Sequence, residues 1–368
     1  MQTNNQDNKL TYIDTLRGIA ILGVIMIHTN QHGQPSDRLL WLINNGDMGV
    51  QLFFVASAFT LFLSFNNRLG KEKTPTRNFF IRRFFRIAPM YYLIGIGYYI
   101  LQDSLGQRYW LGDETHITTW NIISNFFFVH GVNPYWINSL VPGGWSITVE
   151  MTFYAILPFL FSKIKNINQA LNFFILSIFI RATLHVFIKH LPFFNLDQHV
   201  WTGFLYWYFP SQLPVFALGI IMYFVINKSY SDISGQTFLL LALVFLFQQL
   251  TGYNIFGRHI MFSIGFIILG VALSRYQTKI LVNSIITYIG KISFSMYLVH
   301  FAVLHWLTYF HFADFVENGL INYSIRFFIV ILGTVVLSTL TYKFIELPFQ
   351  DFGKKIIKRL DNEEIETN

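Results

Sequence analysis

Cysteine is absent from all 368 residues. That excludes disulfides, thiolate metal sites and a cysteine acyl-enzyme, and it leaves the compartment open. Charge is also scarce: Asp, Glu, Lys and Arg make up 12% of the chain, against about 25% in a soluble domain. Too little polar surface remains to clothe a water-facing globule, and no stretch is long and polar enough to form a separate soluble domain. There is no internal repeat, heptad series or glycine-rich phosphate loop. His185, His190 and His199 lack the helical i, i+4 pairing with a carboxylate base that a catalytic zinc site uses, so no metal is expected. The N-terminus lacks a small-residue cleavage site after its first apolar run, which therefore reads as a retained span.

What the chain does have is hydrophobic length: 53% of its residues are hydrophobic and 18% aromatic. A bilayer core about 30 Å thick takes about 20 apolar residues per helix. Runs of that kind recur at 12–30, 47–65, 87–103, 144–162, 169–190, 205–226, 236–250, 258–274, 286–308 and 322–345. The reading is an all-α integral membrane protein of about ten transmembrane helices. Trp120 to His130 is apolar but short, and is expected to be interfacial or re-entrant.

The net charge of +7 sits in short loops between the apolar runs, which encodes topology and does not suit nucleic acid. Arg68, Lys71, Lys73, Arg77, Arg82, Arg83 and Arg86 lie between the second and third runs and mark a cytoplasmic side. Ten crossings put Lys163, Lys165, Lys228, Arg275, Lys279 and the tail's Lys354, Lys355, Lys358 and Arg359 on that side as well. The other side keeps Arg38, Arg108, Lys189, Arg258 and Arg326. Both termini are thus expected in the cytoplasm. The expected domain is residues 1–350, followed by a cytoplasmic tail, 351–368, disordered from Asp361 onward.

An ionisable residue inside a span is a functional signal because burying charge in lipid is costly. Arg17 and His28 are eleven residues apart, close to three helical turns, and so share one face about 16 Å apart along the axis. An imidazole there suits a general base; an interfacial arginine and a headgroup-level histidine would read the same way. Arg83 and Arg86, three apart beside Arg82, suit bidentate phosphate binding or a positive-inside anchor. Glu150 lies two turns inside an apolar run, where it either orients a histidine or bonds between helices. His300 follows Lys291 and Tyr297 into another run, where a packed, hydrogen-bonded histidine is the commoner explanation.

Taken in order, "YIDTLRGIAILGVIMIH", "RRFFRIAP", "WSITVEMTFYAILP", "KISFSMYLVH" and "FIELPF" resemble the acyltransferase family 3 membrane proteins, which O-acylate glycans and some small molecules. The resemblance covers nearly the whole chain. It implies essential roles for Arg17 and His28, with His28 as catalytic base, and acyl-CoA handling by Arg83 and Arg86. It marks Trp145, Ser146, Glu150, Tyr297 and His300 as further site residues. The chain reads Phe53-Phe54-Val-Ala-Ser57-Ala58 where relatives often have Ser-Gly, which allows less close helix approach. Many relatives carry an extracytoplasmic hydrolase-like domain after the membrane unit; this chain resembles the stand-alone form.

These readings combine into one expected activity. Acetyl-CoA, or another acyl-CoA, docks its phosphates on Arg82, Arg83 and Arg86 and reaches toward Arg17. No bound cofactor is expected. His28, oriented by Glu150, deprotonates a hydroxyl of a cell-surface or lipid-linked saccharide, in the inner (plasma) membrane. The competing reading is a polytopic transporter or flippase, since buried Arg, His and Glu also line substrate paths; the lack of an inverted repeat counts against it.

Overall fold

The computed structural model describes residues 10–31, 39–104, 117–189, 198–228, 234–250, 257–312 and 314–366. Arg38, Arg108 and His190 lie outside them, as do the side chains of Lys189, His199 and Lys228. No strand occurs among the described residues. The first half contains α1 (Thr11–Gln31), α2 (Gly49–Arg68), α3 (Pro75–Met90), α4 (Thr119–Phe126), α5 (Gly144–Lys163), α6 (Ile167–Lys189) and α7 (Gln198–Trp207). The second contains α8 (Phe209–Lys228), α9 (Gly235–Leu250), α10 (Arg258–Arg275), α11 (Ser284–Lys291), α12 (Ser293–Tyr309), α13 (Gly319–Thr341) and α14 (Leu347–Glu366). π-Helical segments, Tyr91–Gly97 and Tyr342–Glu346, extend α3 and join α13 to α14.

Among the described residues, eight stretches are long and apolar enough to cross a membrane, or nine if the pair α11–α12, bent by 80°, counts as one. The protein is a multi-pass membrane protein. The expected ten exceeds this by one, and the difference is α9, whose apolar part, Gly235–Phe247, falls short of a full crossing length. Its 16 residues reach about 24 Å against a core of about 30 Å. Exposure of apolar surface follows the bilayer rather than water: only 6% of the apolar stretch of α6 is buried, and Ile175, Phe179 and Phe187 point outward. In lipid such a face has no hydrophobic cost.

Two sequence expectations are corrected. Arg326 is not in a loop but inside α13, with no solvent exposure. Residues 361–366, expected to be disordered, continue α14, and Asp361 accepts hydrogen bonds from Arg77 and Asn78. The expected boundary at 350 therefore falls within a helix.

By its internal packing the chain divides into two compact units: residues 1–60 with 218–342, and residues 61–217 with 343–368. In the first unit α1 is central, packed against α10, α11, α12 and α13. Two glycines let α11 lie directly on it. A Cβ on Gly18 would stand 2.3 Å from the Ile286 carbonyl oxygen, and one on Gly290 1.8 Å from that of Asp14. Neither space admits a side chain. The second unit is framed by α3 and α14, with Phe85 edge-on to Phe352 at 5.5 Å between ring centroids. Pro75 opens α3, where its missing N–H costs nothing, and Pro89 removes an interior donor just before the π-helical segment.

Candidate active site

In the first unit, Arg17 and His28 lie on one face of α1, about 20° apart around the helix. Arg17 donates to the Thr60 hydroxyl at 3.1 Å and lies 3.7 Å from Asp14. Thr60 is oriented to accept because its own hydroxyl donates to the Ala56 carbonyl at 2.7 Å. Three turns away, the half-buried His28 places Nδ1 3.0 Å from Nε2 of the fully buried His300. His300 Nδ1 lies 3.1 Å from the Met296 carbonyl oxygen. Phe301 packs against both rings, at 4.4 Å and 4.1 Å between centroids. Tyr297, one turn before His300, is buried with its ring 5.9 Å from that imidazole and edge-on to Phe53.

The end of α1 that carries His28 is held by α13. Arg326 donates through Nε to the Thr29 carbonyl at 3.1 Å and lies 3.5 Å from Asp314, while Tyr323 donates to the Met26 carbonyl at 3.2 Å. The last carbonyls of a helix need such donors, and a cation there also suits the helix dipole. A cavity of about 650 Å³ opens on the opposite face of α1, lined by Ile19, Gly23, Met26, Leu52, Val244 and Phe262 among others. None of its described lining residues is ionisable. It offers room for hydrocarbon, not for proton transfer.

The second unit holds the remaining candidates. Gly143, at φ 74°, supplies the left-handed turn that starts α5, a conformation other residues resist. Ser146 donates to the Gly143 carbonyl at 2.9 Å, and Trp145 stacks on Trp207 with centroids 6.3 Å apart and an interplanar angle of 23°. Glu150 accepts the Tyr154 hydroxyl at 2.5 Å. Arg82 forks onto Glu72 through two 3.0 Å bonds, and Arg68 shares that carboxylate. Burial alone would raise the Glu72 carboxyl, but bonds from Arg82 and Arg68 outweigh it and hold it below its ordinary value. Arg86 pairs with the fully buried carboxylate of Glu346, and Arg83 is half-buried beside it on α3. A guanidinium has five donors, so a carboxylate partner leaves capacity for phosphate oxygens.

His130 escaped the sequence reading as a site residue. It is fully buried between the Gly144 carbonyl, 3.1 Å from Nε2, and the Tyr91 ring stacked on it. Burial pushes its pKa down to about 4, which hydrogen bonding to Gly144 only partly offsets. Around it Tyr91 donates to Asn125, Asn121 donates to Ser139, and Thr148 donates to the Phe128 carbonyl. The legible signal was a run of Asn, Ser and His in an interval too short to span. No cluster of three or more His, Cys, Asp or Glu able to hold a metal occurs among the described residues.

Residues 10–343 match the family described as acyltransferase domain, Acyl_transf_3. The chain belongs to acyltransferase family 3. A Staphylococcus aureus strain COL protein named for O-acetyltransferase activity is 28% identical over 95% of this chain, and O-acetyltransferase OatA of S. aureus strain NCTC 8325 is 27% identical over 93%. The family 3 chain spans 59% of the first relative's length and 57% of OatA's. No solved structure matches it significantly.

Proposed function

We propose that this family 3 chain transfers an acetyl group from acetyl-CoA to a hydroxyl of a cell-surface or lipid-linked saccharide. The observation that carries the reading is a histidine, His28, within a span of a chain of this acyltransferase family, with its Nδ1 engaged and its ring only half-buried. The names of the O-acetyltransferase relatives support acetyl as the acyl group.

In this mechanism the acceptor oxygen attacks the thioester carbonyl carbon. The new C–O bond forms as the C–S bond breaks, the hydroxyl proton moves to His28, and the departing thiolate takes it up as CoA thiol. Arg83 and Arg86, with Arg82 beside them, supply charge-assisted bonds to the donor's phosphates. Arg17, three turns along α1 from His28, lies toward the end from which the donor's pantetheine arm enters and does not contact the reacting carbonyl. Trp145, Ser146 and Glu150 of the second unit, and Tyr297 of the first, are carried as further candidate residues. The basic loops favour a plasma-membrane protein with a cytoplasmic donor side and both termini cytoplasmic.

The test is acetyl transfer by the purified chain in detergent, with acetyl-CoA and saccharide acceptors. His28→Ala is expected to lower kcat about 10²–10⁴-fold with folding intact. Undiminished turnover by a folded His28→Ala variant would remove the base assignment. Absence of any acetyl-CoA turnover by the folded wild type, together with saccharide movement across vesicles, would favour a transporter.

A further inference from the structure

We infer that His300 is a positioning residue that fixes the tautomer of His28, through a three-member hydrogen-bond chain running from the Met296 carbonyl. The inference rests on the acyl-transfer reading for its catalytic consequence, but the chain itself is a property of the folded protein.

The argument starts at the backbone. The Met296 carbonyl oxygen can only accept, so the His300 Nδ1 that faces it at 3.1 Å must carry a proton. In a neutral imidazole that leaves the lone pair on Nε2. His300 Nε2 faces His28 Nδ1 at 3.0 Å, so His28 must be the donor there and its proton sits on Nδ1. The lone pair of His28 is then on Nε2, which in the acyl-transfer reading is the nitrogen that takes the hydroxyl proton. The opposite assignment needs a doubly protonated His300, a full charge on a side chain with no solvent exposure.

This arrangement reverses what an imidazole does in water, where the Nε2–H tautomer predominates. The fold enforces it from three directions. The α-helical turn from Met296 to His300 supplies the carbonyl, the 80° bend between α11 and α12 directs α12 along α1, and Phe301 packs both rings in place. When His28 takes a proton, its Nδ1–H remains bonded to His300 Nε2, which stabilises the imidazolium without itself being required to move a proton. That is the role an acidic partner fills in other base–orienter pairs, performed here by a neutral acceptor.

The test is the ¹⁵N spectrum of the full chain labelled at histidine, in detergent at neutral pH, with His28 and His300 assigned by their single substitutions. Expected are a protonated Nδ1 and a bare Nε2 on both residues. In His300→Leu, which removes the acceptor, His28 is expected to shift toward the Nε2–H form, and kcat to fall at least tenfold with little change in KM for acetyl-CoA. His300→Gln places an amide oxygen near the lost Nε2 and should retain the Nδ1–H form and recover part of kcat. A wild-type His28 protonated on Nε2 would overturn the inference, as would an unchanged His28 tautomer in folded His300→Leu. If His300→Leu does not fold, the wild-type and His300→Gln spectra decide. A correct tautomer in a protein that transfers no acyl group would refute the acyl-transfer reading and leave the hydrogen-bond chain standing.

Discussion

A guanidinium paired with a carboxylate that has no solvent exposure cannot be removed as though it were a surface charge. Arg86→Met would take the guanidinium away from the buried Glu346 carboxylate, leaving Gln350 as a neutral donor to it, and is expected to cost up to about 3 kcal/mol whatever Arg86 does for a ligand. The double variant Arg86→Met with Glu346→Leu removes both charges and is expected to regain most of the melting temperature. It should not regain affinity for acetyl-CoA if Arg86 holds a donor phosphate. Melting curves and KM measured on both variants separate the two roles. His130 makes a different prediction, in pH. Its ordinary pKa is 6.5 and its folded value about 4, so between these the unfolded chain binds a proton that the native chain refuses. Stability should therefore fall on acidification from about 6.5 toward 4. His130→Gln, which keeps a donor toward Gly144, should flatten that limb in a melting-temperature profile. Glu72, held low by its arginines, contributes a separate loss only below its ordinary carboxylate value as the fork is protonated apart. At this scale the sequence was half legible. Arg17 and His28 announce themselves because eleven residues return to the same helix face. His300 was singled out without a role, since its partner lies 272 residues away and no local spacing reports it. Glu150 was read from its place two turns inside an apolar run as either orienting a histidine or bonding between helices, and its carboxylate accepts the Tyr154 hydroxyl.

Among elements, the decisive one is the broken pair α11–α12. Its first part is pinned to α1 by two contacts that no side chain can enter, and its second part carries His300. Gly290→Ala would drive a methyl into the Asp14 carbonyl, and because the obstacle is backbone the helices must separate. Overpacking of this kind typically costs about 1–3 kcal/mol, and here it also moves the base of the hydrogen-bond chain. The expected result is a lower melting temperature with a disproportionate loss of kcat. Gly70→Ala is the control: its left-handed φ of 76° brings some backbone strain, but nothing lies within 4 Å of the added methyl. It should lose stability without the matching kcat defect. The apolar runs that form the long helices were legible because a bilayer imposes one length on all of them. The bend at Ile292 was not, since α11 and α12 read as one continuous run whose interruption is a matter of packing against α1. Arg326 was misplaced for a related reason. Counting basic residues by side treats every arginine as a loop residue, although this one stands inside the last apolar run and is spent on the end of α1.

For the whole molecule, topology turns on the parity of a single helix. Nine crossings are available among the described residues if α11–α12 is one span, and α9 would make ten. If α9 does not cross, every segment after it inverts. Arg275 and Lys279 would then face outward, together with Lys354, Lys355, Lys358 and Arg359 of α14, against the bias of cytoplasmic loops toward Lys and Arg. If α9 crosses, all of these fall on the side of Lys71, Lys73 and Lys165. The shortfall of about 6 Å between its length and the bilayer core is within what local thinning accommodates at modest cost. We therefore predict that α9 spans the membrane. Because the native chain has no cysteine, single substitutions report this directly. Lys71→Cys, Lys279→Cys and Lys358→Cys should resist a membrane-impermeant maleimide in intact cells and react after permeabilisation, while Asn138→Cys reacts in both. Labelling of Lys279→Cys and Lys358→Cys in intact cells, with Lys71→Cys still protected, would place α9 on one side of the bilayer and reverse the orientation of α10, the α11–α12 pair and α13.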